Sequence, residues 1–137
     1  MSDCLFCRII KGEIPSSIVY RDKDVIAFLD IFPYTKGHTI VIPVQHCFNL
    51  LDFPVEKMEN YFSVLKILSG RIKDVLKADG LNIVQNNFKA AGQVIDHLHF
   101  HIIPRWNNDG KSLIHQPKEQ AGADYLKEIS EKISAAG

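Results

Sequence analysis

Apolar and polar positions alternate with a period of two in several short runs of this chain and with a period near 3.6 in two longer ones, and those periods lay out its elements. Behind a short turn or helical start that follows the cysteine pair in "CRIIKGEIP", the runs 17–20 and 25–31, separated by the polar residues 21–24, predict a hairpin. Pro33 and Gly37 punctuate a loop, and the β-branched run from Thr39 to Ile42 predicts a third strand that Pro43 ends. From Val55 to Lys77 the apolar residues Val55, Met58, Phe62, Leu65, Leu68, Ile72 and Leu76 recur at steps of three and four. That spacing predicts a long helix with one buried face, opened by Pro54 and followed by Gly80 as its C-cap. Residues 81–86 return to a strand, a loop containing Gly92 follows, and residues 97–103 read "HLHFHII". A second helix is predicted over 123–133, with Tyr125, Leu126, Ile129 and Ile133 as its buried stripe. Strands, one long helix, two more strands and a C-terminal helix describe an α+β domain with a mainly antiparallel sheet, not the strict alternation of a doubly wound fold.

At 137 residues the chain fits a single domain over 1–137. Lysine plus arginine and aspartate plus glutamate balance at 16 each, so no basic field points to nucleic acid, and any anionic ligand must be held by local geometry. The first residues lack the pattern of a signal peptide, and no apolar run approaches the roughly 18 residues of a membrane span. Those features predict a soluble, cytoplasmic protein with no membrane partner. Three cysteines, two of them in the pattern Cys4-x-x-Cys7, suit a reducing compartment and a metal-binding or redox-active pair.

In residues 97–103 the histidines occupy every second position, so His97, His99 and His101 share one strand face while Leu98, Phe100 and Ile102 take the other. Neighbours in the row lie roughly 6.5 to 7 Å apart, and His97 and His101 about 13 Å apart, at a rise near 3.3 Å per residue. A zinc–nitrogen bond of about 2.0 to 2.1 Å therefore allows at most two of them on one metal. His99 remains in the centre, flanked by groups that donate protons or hold charge, and imidazole serves as a nucleophile or a general base. The bland alternative is a polar strand face without function, and strict alternation of three histidines argues against it.

The run "HLHFHII" fits the His-x-His-x-His-x-x signature with apolar x, and "FCRIIKGEIPS", "VIAFLDI", "KGHTIVIP", "GLNIVQNN" and "AAGQVIDHLHFHIIPR" appear in matching order. Over residues 4–106 the chain resembles the histidine triad (HIT) superfamily, in the bacterial-type branch related to histidine triad nucleotide-binding proteins. The resemblance implies a HIT-like α+β fold with a five-stranded, mainly antiparallel sheet, and reaction at the α-phosphorus of a purine nucleotide or nucleotide conjugate. It makes His99 the nucleophile of a nucleotidyl-histidine intermediate and His101 the contact to phosphate or leaving group, with no catalytic metal. It places Gln93 and Asn86 at the phosphate beside Gly92, Asp30 on the ribose hydroxyls, and Phe28 and Ile31 along the base and ribose cleft. It implies a structural zinc on Cys4, Cys7, His46 and His97, and a homodimer.

His38 competes with His46 as a ligand by sequence, and Cys47 reads as a small buried apolar residue. His115 lies outside the matched stretch and receives no role. Two departures bear on the substrate. The phosphoramidate-cleaving branch carries serine or threonine where this chain has Val94, which donates no hydrogen bond. Arg105, after the triad, replaces a glycine-rich sequence, so dinucleoside polyphosphates stay open as substrates. Two rival readings accompany the hydrolase: a nucleotide-binding regulatory module with vestigial hydrolysis, and a metal-dependent enzyme built on the histidine row.

Overall fold

In the computed structural model, which describes residues 3–113 and 119–136, five strands form one antiparallel sheet. They are β1 (Ile18–Arg21), β2 (Val25–Leu29), β3 (Thr39–Pro43), β4 (Gly80–Val84) and β5 (Phe100–Arg105), in the spatial order β1-β2-β3-β5-β4. The hairpin turns where Asp22 accepts from the amides of Asp24 and Val25, both at 2.7 Å, the local bonding that makes aspartate a turn residue. β5 enters between β3 and β4, pairing Ile40 with His101 on one side and Val84 with His101 on the other. Only His101 of the row therefore lies on this inner strand, whereas His97 and His99, expected on it, precede its first residue.

Alternation gives the sheet two apolar faces. Val25, Ala27, Val41, Leu98, Phe100 and Ile102 meet the long helix α2 (Met58–Leu76) through Tyr61, Val64, Leu65 and Leu68. Tyr61, 1 % exposed, also donates its hydroxyl to the Val41 carbonyl at 2.7 Å, so its polar atom is satisfied inside the core. On the opposite face, Ile26, Phe28, Ile40 and Ile42 pack against Phe6 and Ile9 of a short helix, α1 (Leu5–Ile10). One face is thus closed by α2, and the other is covered in part by α1 and keeps a cleft.

Three expectations change. The predicted face of the long helix is rotated: Val55 is 75 % and Phe62 38 % exposed, while Tyr61 and Val64 are buried. Residues 55–57 form a tighter 3-10 turn before the α-helix begins at Met58, which takes Val55 out of the helical stripe. The helix is closed by Lys77 in the left-handed region, at φ 53°, and not by Gly80, which opens β4. The C-terminal helix α3 (Ala123–Ala135) forms where expected, but Tyr125, Leu126 and Ile133 are 57, 53 and 70 % exposed. Amphipathic periodicity predicts a helix without specifying the surface that covers it. His115 lies outside the described residues, and no helix among them is long and apolar enough to cross a membrane.

Candidate functional site

The free nitrogens of His97 and His99 are chosen by different main-chain carbonyls. His97, fully buried, turns Nε2 to the Pro43 carbonyl at 2.8 Å. A carbonyl only accepts, so Nε2 carries the proton and Nδ1 presents its lone pair. His99 does the reverse: Nδ1 faces the His97 carbonyl at 2.7 Å, which leaves Nε2 as the unprotonated nitrogen. Burial lowers the His99 pKa and keeps that lone pair free of a proton at neutral pH. Phe6 of α1 stands edge-on to both rings, 5.9 Å from His97 and 5.1 Å from His99, and holds them apart.

The lone pair of His97 meets the cysteine pair. Nδ1 lies 3.3 Å from Cys4 Sγ, 3.5 Å from Cys7 Sγ and 3.1 Å from His46 Nδ1, and His46 Nδ1 lies 3.3 Å from Cys7 Sγ. Bonds of about 2.3 Å to sulfur and 2.0 to 2.1 Å to nitrogen at tetrahedral angles give ligand edges of about 3.3 to 3.8 Å. The four donors therefore stand at nearly the separations one tetrahedral ion requires. Burial, reinforced by Cys4, pushes the Cys7 thiol up to about 11, so paired thiolates there call for a cation. The Nε2–H bond of His97 to Pro43 is the outer support that orients a ligating imidazole. Cys4, Cys7, His46 and His97 fit a metal, with His46 and not His38 completing the set.

His38 sits elsewhere, 6 % exposed, with Nε2 2.9 Å from His101 Nδ1 and 3.6 Å from Asp30 Oδ2. These three residues also bring donor atoms within 4.8 Å of one another. They do not fit a metal. The Tyr34 amide donates to His38 Nδ1 at 3.0 Å, so the ring proton must sit on Nε2, the atom an ion would need. His38 as the neighbour of His101 escaped sequence reasoning, because the two lie 63 positions apart and meet only when β3 pairs with β5.

His99 and His101 open into a cleft of about 520 Å³ on the sheet face that α1 partly covers. Phe28, Asp30, Ile31 and Gly92 line it, and Asn86 and Gln93 do not. Phe28 is buried edge-on to Phe6, whereas Ile31 is 81 % exposed at the mouth. Sequence reasoning missed Ile14, Pro15 and Phe32 in the same lining. Val94 stands on the rim, 84 % exposed. Asp30 uses Oδ1 to accept from the Phe32 amide at 2.8 Å. Gly92 adopts φ 95°, a conformation glycine takes without strain, and Asn86 lies against it; a Cβ there would stand 3.7 Å from the Asn86 amide nitrogen.

Gln93 takes an unexpected place. Its side chain is 5 % exposed and bonded at every position: Oε1 accepts from the Phe88 amide and Asn49 Nδ2, and Nε2 donates to the Phe48 and Ile95 carbonyls. It braces the loops on which Gly92 and Val94 sit. Arg105 is likewise occupied, holding Asp109 through two nitrogens at 2.8 and 2.9 Å and Asn82 at 2.8 Å.

A family model described as the HIT domain matches residues 11–108. The adenosine 5'-monophosphoramidase HNT1 of Saccharomyces cerevisiae is 36 % identical over 132 residues, which cover 96 % of this chain and 81 % of that protein. The crystal structure of SMU.412c from Streptococcus mutans UA159 superposes with a TM-score of 0.93 at 42 % identity, over 99 % of this chain and 86 % of that one. A zinc-bound histidine triad family protein from Mycobacterium smegmatis does so with a TM-score of 0.77 at 34 % identity, over 99 % of each chain.

Proposed function

The chain belongs to the HIT-domain family, and on that premise we propose that it is a nucleotidyl hydrolase or transferase acting at the α-phosphorus of a purine nucleotide derivative. The observation that carries the reading is the tautomer of His99: its Nδ1–H is fixed on the His97 carbonyl and its unprotonated Nε2 belongs to a ring lining the cleft. In the reaction that follows, Nε2 attacks the α-phosphorus and the bond to the leaving group breaks, giving a nucleotidyl-histidine. Water then attacks the same phosphorus, frees His99 and releases the nucleoside monophosphate. Two moderate barriers replace one high one, the general gain of covalent catalysis.

The rest of the cleft supports nucleotide binding. Phe28 and Ile31 give the base an apolar wall, Asp30 accepts from ribose hydroxyls, and Gly92 brings main chain close to the phosphate without a side chain in the way. His101 contacts the phosphate or the leaving group. Phosphoramidates, adenylated compounds and dinucleoside polyphosphates all present the required phosphorus. Zinc is the ion proposed for Cys4, Cys7, His46 and His97, where a closed set of four protein ligands gives it a structural role. The reading includes pairing of two copies along β4, an edge strand on which Ile83 is 44 % exposed, and a reducing cytoplasm that keeps Cys4, Cys7 and Cys47 as thiols.

The test is His99→Ala, assayed for turnover of a panel of adenylated substrates and for AMP binding by calorimetry. Turnover is expected to fall by at least about a thousandfold, as for loss of a nucleophile, with AMP binding retained. A variant that keeps its turnover overturns the mechanism.

A further inference from the structure

The cysteine pair stands where two cavities meet, a placement that a purely structural ion does not require. Cys4 and His46 line a second cavity of about 470 Å³, and Leu5, Val94 and Ile95 line both it and the cleft that holds His99. Cys4 is half-buried and Cys7 is 8 % exposed, so this cavity gives small molecules access to Cys4 first. The two thiols are free, their sulfurs lie within 4.8 Å of each other, and the Cys7 amide donates to Cys4 Sγ at 3.3 Å across one turn. Side chains three apart on such a turn have Cβ atoms about 5 to 6 Å apart, and a disulfide brings them to about 3.8 Å. A modest closure of the turn therefore joins them, and that turn carries Phe6.

We propose that Cys4 and Cys7 are a peroxide-sensitive modification site, whose oxidation to a disulfide releases the ion and loosens the α1 wall of the nucleotide cleft. The inference rests on the zinc reading of Cys4, Cys7, His46 and His97 and on nucleotide binding in the cleft. Cys4, as the thiolate on the accessible side, attacks hydrogen peroxide: a sulfur–oxygen bond forms, the oxygen–oxygen bond breaks, and the departing hydroxide takes up a proton to become water. The Cys7 thiolate then attacks the sulfenic sulfur of Cys4; the sulfur–sulfur bond forms, the sulfur–oxygen bond breaks, and a second hydroxide leaves and is protonated. Two electrons pass from the sulfurs to the peroxide, and both negative charges of the ligand set are consumed. Two neutral imidazoles hold a divalent ion far more weakly than two imidazoles with two thiolates.

The far end of α1 stays in place, because Arg21 donates to the Ile10 carbonyl at 2.9 Å and Ile9 packs on the sheet. The near end carries Leu5 and Phe6, which line the cleft, and it reaches His46 and His97 through the two sulfurs. Phe6 lies between the cysteines in sequence, and its ring centre stands 5.1 Å from that of His99. Oxidation therefore displaces the wall beside the nucleophile, while the His97 main-chain carbonyl still holds His99 Nδ1. The loss falls on nucleotide affinity and leaves the chemical step in place.

The experiment treats the zinc-loaded chain carrying Cys47→Ala, which removes the thiol outside the pair, with hydrogen peroxide and then clears the peroxide. Wild type is run beside it, with peptide mapping to follow Cys47. A chromogenic chelator is expected to register release of the ion, and mass spectrometry a disulfide joining Cys4 to Cys7. Calorimetry should show the Kd for AMP raised by about fivefold or more, the lower end of ordinary coupling between two sites. In turnover KM should rise with it, while kcat stays within about threefold. Dithiothreitol with zinc should restore the starting affinity. An ion retained after peroxide overturns the proposal, as does Cys4 found as a sulfinate or sulfonate without a link to Cys7. An AMP affinity unmoved in the disulfide form overturns it too, and so does a circular dichroism spectrum showing that the oxidised chain has unfolded as a whole. A chain that binds no zinc sinks the zinc reading, and the AMP affinities of its reduced and disulfide forms still decide the coupling. A reduced chain that binds no AMP sinks the nucleotide reading, and ion release with the disulfide map still decides the redox site.

Discussion

Gln93 offers the sharpest test of whether this loop architecture is correctly understood. Replacing it with methionine keeps the volume and removes four hydrogen bonds at once, leaving two carbonyls, one amide and the Asn49 side-chain nitrogen without their partner. Each buried polar group so orphaned costs about 1 to 3 kcal/mol. Water can reach some of them, because Phe88 is 46 % exposed, whereas Asn49 is 1 % exposed and has no such relief. A net loss of about 2 to 4 kcal/mol is expected, within the range seen when a buried hydrogen-bond network is broken. For a chain of this length that lowers the thermal midpoint by roughly 6 to 15 °C. Urea and thermal unfolding followed by circular dichroism measure the loss, and calorimetry with AMP measures binding at a temperature where the variant is folded. Gln93→Glu should behave similarly, since a carboxylate accepts from Phe88 and Asn49 but has nothing to donate to Phe48 and Ile95. An unchanged unfolding midpoint together with weakened AMP binding would refute the reasoning and return Gln93 to the phosphate.

Three further outcomes follow from the same geometry. Stripping the ion from Cys4, Cys7, His46 and His97 with a chelator should lower the thermal midpoint while turnover persists below the new transition; immediate loss of activity in a protein whose circular dichroism is unchanged would favour a catalytic metal. The hydrogen bonds from Arg105 hold the Asp109 carboxyl well below the usual range, and the Phe48 and Asn49 amides lower that of Asp52. A depressed carboxyl stabilises the fold above its unfolded pKa near 3.9 and loses that contribution progressively as pH falls from there through its folded pKa, so Asp109→Asn should be less stable than wild type at pH 7, with the gap narrowing steadily below about pH 4 in urea titrations. Ile83→Lys on the exposed edge of β4 should convert a dimer to a monomer in sedimentation, and a wild type that sediments as a monomer removes the pairing from the reading.

The sequence carried the strands and the long helix because their periods depend on one face being buried, and here it is. It failed where a neighbour distant in sequence decides the outcome. Phe62 and Tyr61 are adjacent and both aromatic, and it is the packing against Val41, Phe53 and Phe100 that takes Tyr61 into the core while Phe62 stays 38 % exposed. Leu126 and Ile133 read as core on period alone, yet α3 leaves them open. Gln93, expected at the phosphate, has its side chain bonded to four partners within the protein, and these come from three separate loop stretches that composition does not bring together.

The histidine row shows why residue type and spacing stop short of mechanism. Three identical side chains on one strand face are chemically equivalent in the sequence, and the fold makes them different by supplying a different atom to each. The Pro43 carbonyl frees Nδ1 of His97 toward two sulfurs, the His97 carbonyl frees Nε2 of His99 toward the cleft, and His101 faces His38. A lone pair facing two sulfurs and a lone pair on a ring that lines the cleft are different chemical resources, selected by two main-chain carbonyls. His38 meets the row at His101 although it lies just ahead of β3, 63 positions away. The Tyr34 turn and the start of β3 therefore differentiate the row as much as the histidine signature itself does.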